Sequence, residues 1–208
     1  RILKVIELYK RGGKLLDVGI GTGLFLKIAK KRGWDIYGID ISSYAIKSAK
    51  KTGAHLRVEV LSDNTFKESF FDVVNMRHSI EHIKNPQKTL RIIYKILKPD
   101  GIICIATPNS FGLHAKIFGK LWPHLDLEHH VNFYSKKTLK NLVERVGFKI
   151  LQVKTEELTI YDIFKLLLYR LGVPVKFRNP WRVSYLVNEI LARLGLGEGL
   201  VLVAKKKV

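Results

Sequence analysis

A chain of 208 residues can bury one sizeable core but hardly two full domains. Its 47% hydrophobic and 26% charged residues exclude a disordered tail, and no run nears the roughly 18 uninterrupted apolar residues of a membrane span. Lys and Arg total 37 against 18 Asp and Glu; the net of +19 either attracts nucleic acid, anionic membrane or acidic substrates, or is a Lys-rich solvated surface.

The basic residues are scattered, densest at 27–32, 47–51 and 205–207, and none of these runs is interleaved with aromatics as a single-strand platform would be. The lone Cys104 excludes an internal disulfide and a thiolate-rich zinc site, which suits a reducing cytoplasm. No signal peptide is visible, and the chain opens on Arg1, so whether a segment precedes it stays open.

Apolar runs then alternate with amphipathic segments, the pattern of a parallel sheet with crossover helices. Strands are predicted at 15–18, 35–39, 56–60, 72–76 and 101–106, and helices at 24–31, 44–51 and 86–97. Asn85 is placed to cap the third helix and Pro86 to fill its first turn. Lys98-Pro99-Asp100-Gly101 reads as the turn that launches the next strand. Residues 109–134, rich in His, Trp and Gly, lack a steady period and read as a long functional loop with a short helix. Ser135 opens a helix that stops at Gly147. Residues 148–153 and 200–204 are the last two strands, an expected antiparallel pair. The fold class is thus α/β, a Rossmann-like doubly wound, mostly parallel seven-stranded sheet with an antiparallel last strand. One domain spans 1–208, with a helical insertion at 158–197 whose two amphipathic stretches suit a lid, a membrane-surface contact or an interface.

Glycines 19, 21 and 23 lie between the first strand and the first helix, where the backbone must turn tightly or approach a ligand. A dinucleotide loop requires G-x-G-x-x-G, but position 24 is leucine, and the spacing is G-x-G-x-G preceded by Asp17. Asp40 ends the second strand at the carboxyl edge, where a carboxylate can accept from both hydroxyls of a ribose.

This first motif, with Phe71-Asp72-Val73-Val74, the Asn75-Met-Arg-His-Ser-Ile-Glu81-His82 segment, Asn85-Pro86, Leu97-Lys-Pro-Asp-Gly101, Thr107-Pro-Asn109, His130-Val-Asn-Phe-Tyr-Ser135 and Val146-Gly147-Phe148, resembles class I S-adenosylmethionine-dependent methyltransferases. The likeness covers about residues 14–153 and is greatest to the small-molecule group that includes the ubiquinone-biosynthesis O-methyltransferases. It implies S-adenosylmethionine as cofactor, held by Asp17, Gly19, Gly21, Gly23, Asp40, Ile41, Ser62, Asp63, Asn75 and Arg77. The family's adenine-contacting acid does not align cleanly here, and Glu59, Ser62 and Asp63 all qualify.

Methyl transfer from a sulfonium is an in-line displacement that needs alignment and, at most, a base for the acceptor. His78, His82 and His130 are the candidate bases, with His124 and His129 nearby, each weighed against a purely structural hydrogen bond. Asp126, Glu128, His129 and His130 offer ligand chemistry, but no matching Asp-Asn pair accompanies them, and no metal is expected. Phe118, Trp122 and Phe133 either fill core space or wall an apolar acceptor pocket. The Asn-Met-Arg-His run after the fourth strand argues against methylation of exocyclic base amines, which needs Asn-Pro-Pro-aromatic. The expected acceptor is a small, apolar or lipid-like molecule methylated on oxygen or nitrogen. RNA is the alternative the charge suggests, and a scaffold that keeps the fold without catalysis is the third reading; oligomeric state is not legible.

Overall fold

Parallel strands buried on both faces need apolar side chains at successive positions, and helices supply the cover. The computed structural model describes residues 1–122, 124–156, 192 and 194–207. In chain order these form α1 (Ile2–Ile6), β1 (Lys14–Val18), α2 (Leu24–Lys31), β2 (Asp35–Asp40), α3 (Ser43–Ala49), β3 (His55–Val58), β4 (Phe71–Arg77), α4 (Pro86–Ile96), β5 (Leu97–Pro108), α5 (Leu113–Phe118), α6 (Lys136–Arg145), β6 (Phe148–Glu156) and β7 (Gly199–Lys206). The sheet order is β3-β2-β1-β4-β5-β7-β6. All pairs are parallel except those of β7, which runs antiparallel to both β5 and β6. The insertion at 158–197 lies outside the described residues, apart from 192 and 194–197.

Alternation divides the core into two layers. Leu16, Val74, Ile103 and Leu202 face α4 and α6, meeting Leu90, Ile93, Leu139 and Val143. Leu15, Val73, Ile102 and Val203 face the other way, onto Ile6, Leu26, Ala29 and Ala49 of α1, α2 and α3. Helix ends follow local chemistry. Asn85 accepts from the Lys88 amide at 3.0 Å, with Pro86 in the first turn of α4. Ser135 forms a reciprocal capping box with Thr138 at the start of α6. One expectation needs correction. β5 starts at Leu97, so Lys98–Gly101 is an irregularity within the strand, with Asp100 in the left-handed region at φ 63°, instead of a turn before it. The strand pattern begins at residue 15, yet α1 precedes it, a helix of five residues too short to display a period.

Residues 109–134 are loop and short helix, as their composition predicts, and they are moored to the residues just before β7. The Asn109 amide donates to Glu198 O at 2.7 Å, its side-chain amide to Gly197 O at 2.8 Å, and the Leu113 amide to Leu196 O at 3.0 Å. The Glu198 carboxylate meets His114 Nδ1 at 2.9 Å and His124 Nε2 at 3.2 Å. Burial pushes Glu198 up, but these two imidazoles win and hold its carboxyl down at about 2. The same Glu198 contact raises His124 above its ordinary value of 6.5. Glu198, depressed on folding, stabilises above its unfolded value of 4.5 and stops doing so as pH falls toward 2. His124, raised on folding, stabilises fully below 6.5 and ceases to as pH climbs through its folded value. Glu198→Gln therefore lowers the melting temperature most between about pH 4.5 and 6.5, by the equivalent of about 1–3 kcal/mol. The difference narrows toward pH 8 in thermal melts; a constant difference would show that the clamp is not ionic.

Candidate active site

β1 is flanked by β2 on one side and β4 on the other, so the crossovers diverge to opposite faces and leave a crevice at its carboxyl end. A cavity of about 870 Å³ opens there. Asp17, Gly19, Gly21, Asp40, Ile41, Arg77, His78 and His82 all line it, drawn together from three separate segments.

The glycine loop has to turn hard to leave the sheet. Gly19 and Gly21 have φ of 82° and 52°, a region costly to any residue with a Cβ. A Cβ at Gly19 would also stand 2.8 Å from the Ser79 Cβ. Asp40 is fixed by backbone donors: Gly21 N reaches Oδ2 at 3.3 Å and Ser42 N reaches Oδ1 at 2.9 Å. Asp17, only 2% exposed, accepts from Asn75 Nδ2 at 2.6 Å. Burial pushes its carboxyl up to about 7, opposed by the Asn75 bond and the Arg77 guanidinium and aided by the charge on Asp40.

Five predicted residues stand outside this cavity. Gly23 begins α2, and a Cβ there would meet Ala49 Cβ at 2.6 Å, so it serves helix packing. Asn75 is fully buried behind Asp17 and acts on the cavity only through that carboxylate. Ser62 bonds to Thr65, and exposed Asp63 pairs with Lys95 at 2.9 Å. Of the three adenine candidates, Glu59 alone lines the cavity, followed by Val60 and Leu61. His130 reaches the wall only through His82, whose ring lies 4.8 Å from its own. Ser79 and Thr89, also on the wall, escaped the sequence reading. Ser79 had a signal in its place one residue after His78.

His78 leaves β4 with φ 49° and its amide bonded to Ala106 O at 2.8 Å. Its Nδ1 is 3.6 Å from Glu81 Oε1. Glu81, 2% exposed, also accepts from Thr107 Oγ1 at 2.9 Å. Burial pushes Glu81 up, but His78, its own backbone amide and Thr107 hold it below the ordinary carboxylate range. The Glu81 carbonyl accepts from Val131 and Asn132, which draws the 109–134 segment over this edge. Asp126 and His129 pair with each other at the surface at 2.9 Å. Phe118 and Trp122 pack together in a satellite cluster and do not line the cavity.

A family profile described as a methyltransferase domain matches residues 1–153. The chain belongs to that family, as a class I, S-adenosylmethionine-dependent methyltransferase. An uncharacterized protein of Methanocaldococcus jannaschii is 29% identical over 147 residues, 69% of this chain and 70% of that protein. The ubiquinone biosynthesis O-methyltransferase of Psychrobacter arcticus is 30% identical over 117 residues, 51% of this chain. The methyltransferase chain matches only 45% of that relative's length. A crystal structure of a SAM-dependent methyltransferase from Archaeoglobus fulgidus shares the fold with a TM-score of 0.69 at 24% identity, covering 99% of this chain and 91% of that one. No described helix of the methyltransferase is long and apolar enough to cross a membrane.

The cavity suits the cofactor: a turn with no Cβ at Gly19 and Gly21, a half-buried carboxylate at a strand end and a second carboxylate poised near neutrality. Two outcomes follow. Asp40→Ala removes most of the S-adenosylmethionine affinity in calorimetry, and unaltered affinity would show that the second strand carries no ribose contact. Asp17, raised on folding, stabilises the free chain below 3.8 and loses that contribution as pH climbs through 7. A cationic ligand group reverses the preference, so cofactor binding tightens from pH 6 to pH 8 and releases a proton; Asp17→Asn abolishes both effects. Affinity that ignores pH in the unsubstituted protein would count against this role.

Proposed function

We propose that this methyltransferase methylates an oxygen or nitrogen of a small, apolar or lipid-like acceptor, with His78 as the base. When bound, S-adenosylmethionine supplies a methyl group on a sulfonium, open to in-line attack. In this reading the Gly19–Gly21 backbone and Asp17 hold its amino-acid part, Asp40 accepts from the ribose hydroxyls, and Ile41, Glu59 and Leu61 flank the adenine.

The observation that carries the proposal is the placing of His78. It lines the cavity, is half exposed, and has the buried Glu81 carboxylate behind it. A non-glycine residue at φ 49° costs roughly 1–3 kcal/mol, and such strain gathers where a side chain must be aimed. A carboxylate beside an imidazole orients the ring and favours the imidazolium formed when it accepts a proton. The acceptor class draws support from the wall itself, where Phe25 and Ile83 are apolar. Asp17, Asp40 and Glu59 offset Arg77 and Lys84 along the same wall, so the +19 charge is not gathered where a polyanion would have to enter. Relatives named as O-methyltransferases of ubiquinone biosynthesis favour oxygen.

Labelled S-adenosylmethionine, offered with a panel of phenols, amines and RNA, tests this reading. The expected result is label on a small molecule, with His78→Ala lowering kcat about 100- to 10,000-fold while cofactor affinity holds. Full activity in His78→Ala removes the base, and label on RNA alone removes the acceptor class.

A further inference from the structure

Beside His78 stands a second group of side chains that methyl transfer alone does not require. Glu81, His82 and His130 each present one ligand atom, and the three atoms lie within 4.8 Å of one another. Each ring has Nδ1 tied to a backbone carbonyl, His82 to His129 O at 3.0 Å and His130 to His124 O at 2.9 Å. A carbonyl only accepts, so the hydrogen bonds assign the proton to each Nδ1 and leave the lone pair on each Nε2. Such an outer bond fixes the tautomer and raises the basicity of the free nitrogen, the usual preparation of a metal-binding histidine. Glu81 is prepared in the same manner, with Thr107 on Oε2 and His78 near Oε1.

We propose that Glu81, His82 and His130 form a site for a divalent transition ion of the zinc type, with a remaining coordination position facing the cavity. Two imidazoles and one carboxylate suit zinc and leave a fourth place for water or substrate. Nitrogen donors disfavour magnesium, which prefers oxygen. Donors about 2.1 Å from one ion stand roughly 3.4 Å apart, so binding draws these side chains inward by about 1 Å. His82 already lines the cavity, which gives the ion a path from solvent. A nitrogen that holds an ion accepts no proton, so the site takes His82 and His130 out of the base role. It leaves His78 there, next to an ion able to polarise an acceptor oxygen.

Zinc binding is read without turnover, so it stands or falls separately from the acceptor. The chain is stripped with a chelator and titrated with Zn²⁺ alone by calorimetry, and with Co²⁺ by visible absorption. One equivalent binds, Co²⁺ gives the d–d bands of a low-coordinate site, and His82→Ala and His130→Ala each weaken binding by roughly a hundredfold or more. Thr107→Val weakens it about 10- to 100-fold, as loss of an outer hydrogen bond does. His129→Ala, whose backbone carbonyl still serves His82, keeps the affinity, and thermal melts confirm that each variant is folded. No saturable binding by the folded chain, or binding that survives both His82→Ala and His130→Ala, overturns the site. Binding lost in His129→Ala but kept in His82→Ala places the ion on the Asp126 pair and overturns it equally.

Discussion

The Asp17 carboxylate occupies the middle of the sheet, where water cannot solvate it, at the one edge where a cationic ligand can. Burying a charge costs several kcal/mol unless something pairs with it, and here the pairing is partial. Asn75 gives one short bond and Arg77 a nearby positive charge. That bond exists because β1 and β4 run parallel with Asp17 directly opposite Asn75. A slip of one residue in either strand would turn its side chain to the opposite face and break the pair. The glycine turn, the cavity and the site of Asp40 are arranged around that register.

What the sequence discloses and what it hides divide by distance along the chain. The Gly19–Gly21 turn, the Asp40 terminus and the Asn85 and Ser135 caps depend on neighbours a few residues away, and all were legible. The central strands were legible as buried apolar runs, whereas the edge strand β3 is largely exposed and spans His55–Val58 against the expected 56–60. Asn75 was expected to hold the cofactor directly, but its place behind Asp17 depends on pairing with a distant strand. Ser62 and Asp63 looked as eligible as Glu59 because the chain after β3 is irregular. Only the bonds to Thr65 and Lys95 show which way each side chain is drawn. The gathering of His82 and His130 is likewise invisible in one dimension.

The carboxyl edge has two halves built in different ways. Its cofactor side comes from consecutive elements, β1 through β3, with short connections and local hydrogen bonds. The opposite side is assembled from residues 78–82, Thr107, the 109–134 segment and Glu198. The bonds from Glu81 to Thr107 and Val131, from His82 to His129 and from Glu198 to His114 each close a long loop, which costs more chain entropy than a helix cap does. The cavity wall carries both signs of charge, with Asp17, Asp40 and Glu59 beside Arg77 and Lys84.

β7 lies between β5 and β6, and Glu198 immediately precedes it. During synthesis β1 to β5 emerge well before β7 does, so the cofactor crevice can form while β5 still shows an open edge. Unpaired strand edges invite association with other chains, and slow non-local pairing lengthens their exposure. The insertion of β7 closes that edge and, in the same event, delivers the carboxylate that moors His114 and His124. The side of the cavity opposite the glycine turn thus depends, for its mooring, on the arrival of a single strand late in the chain.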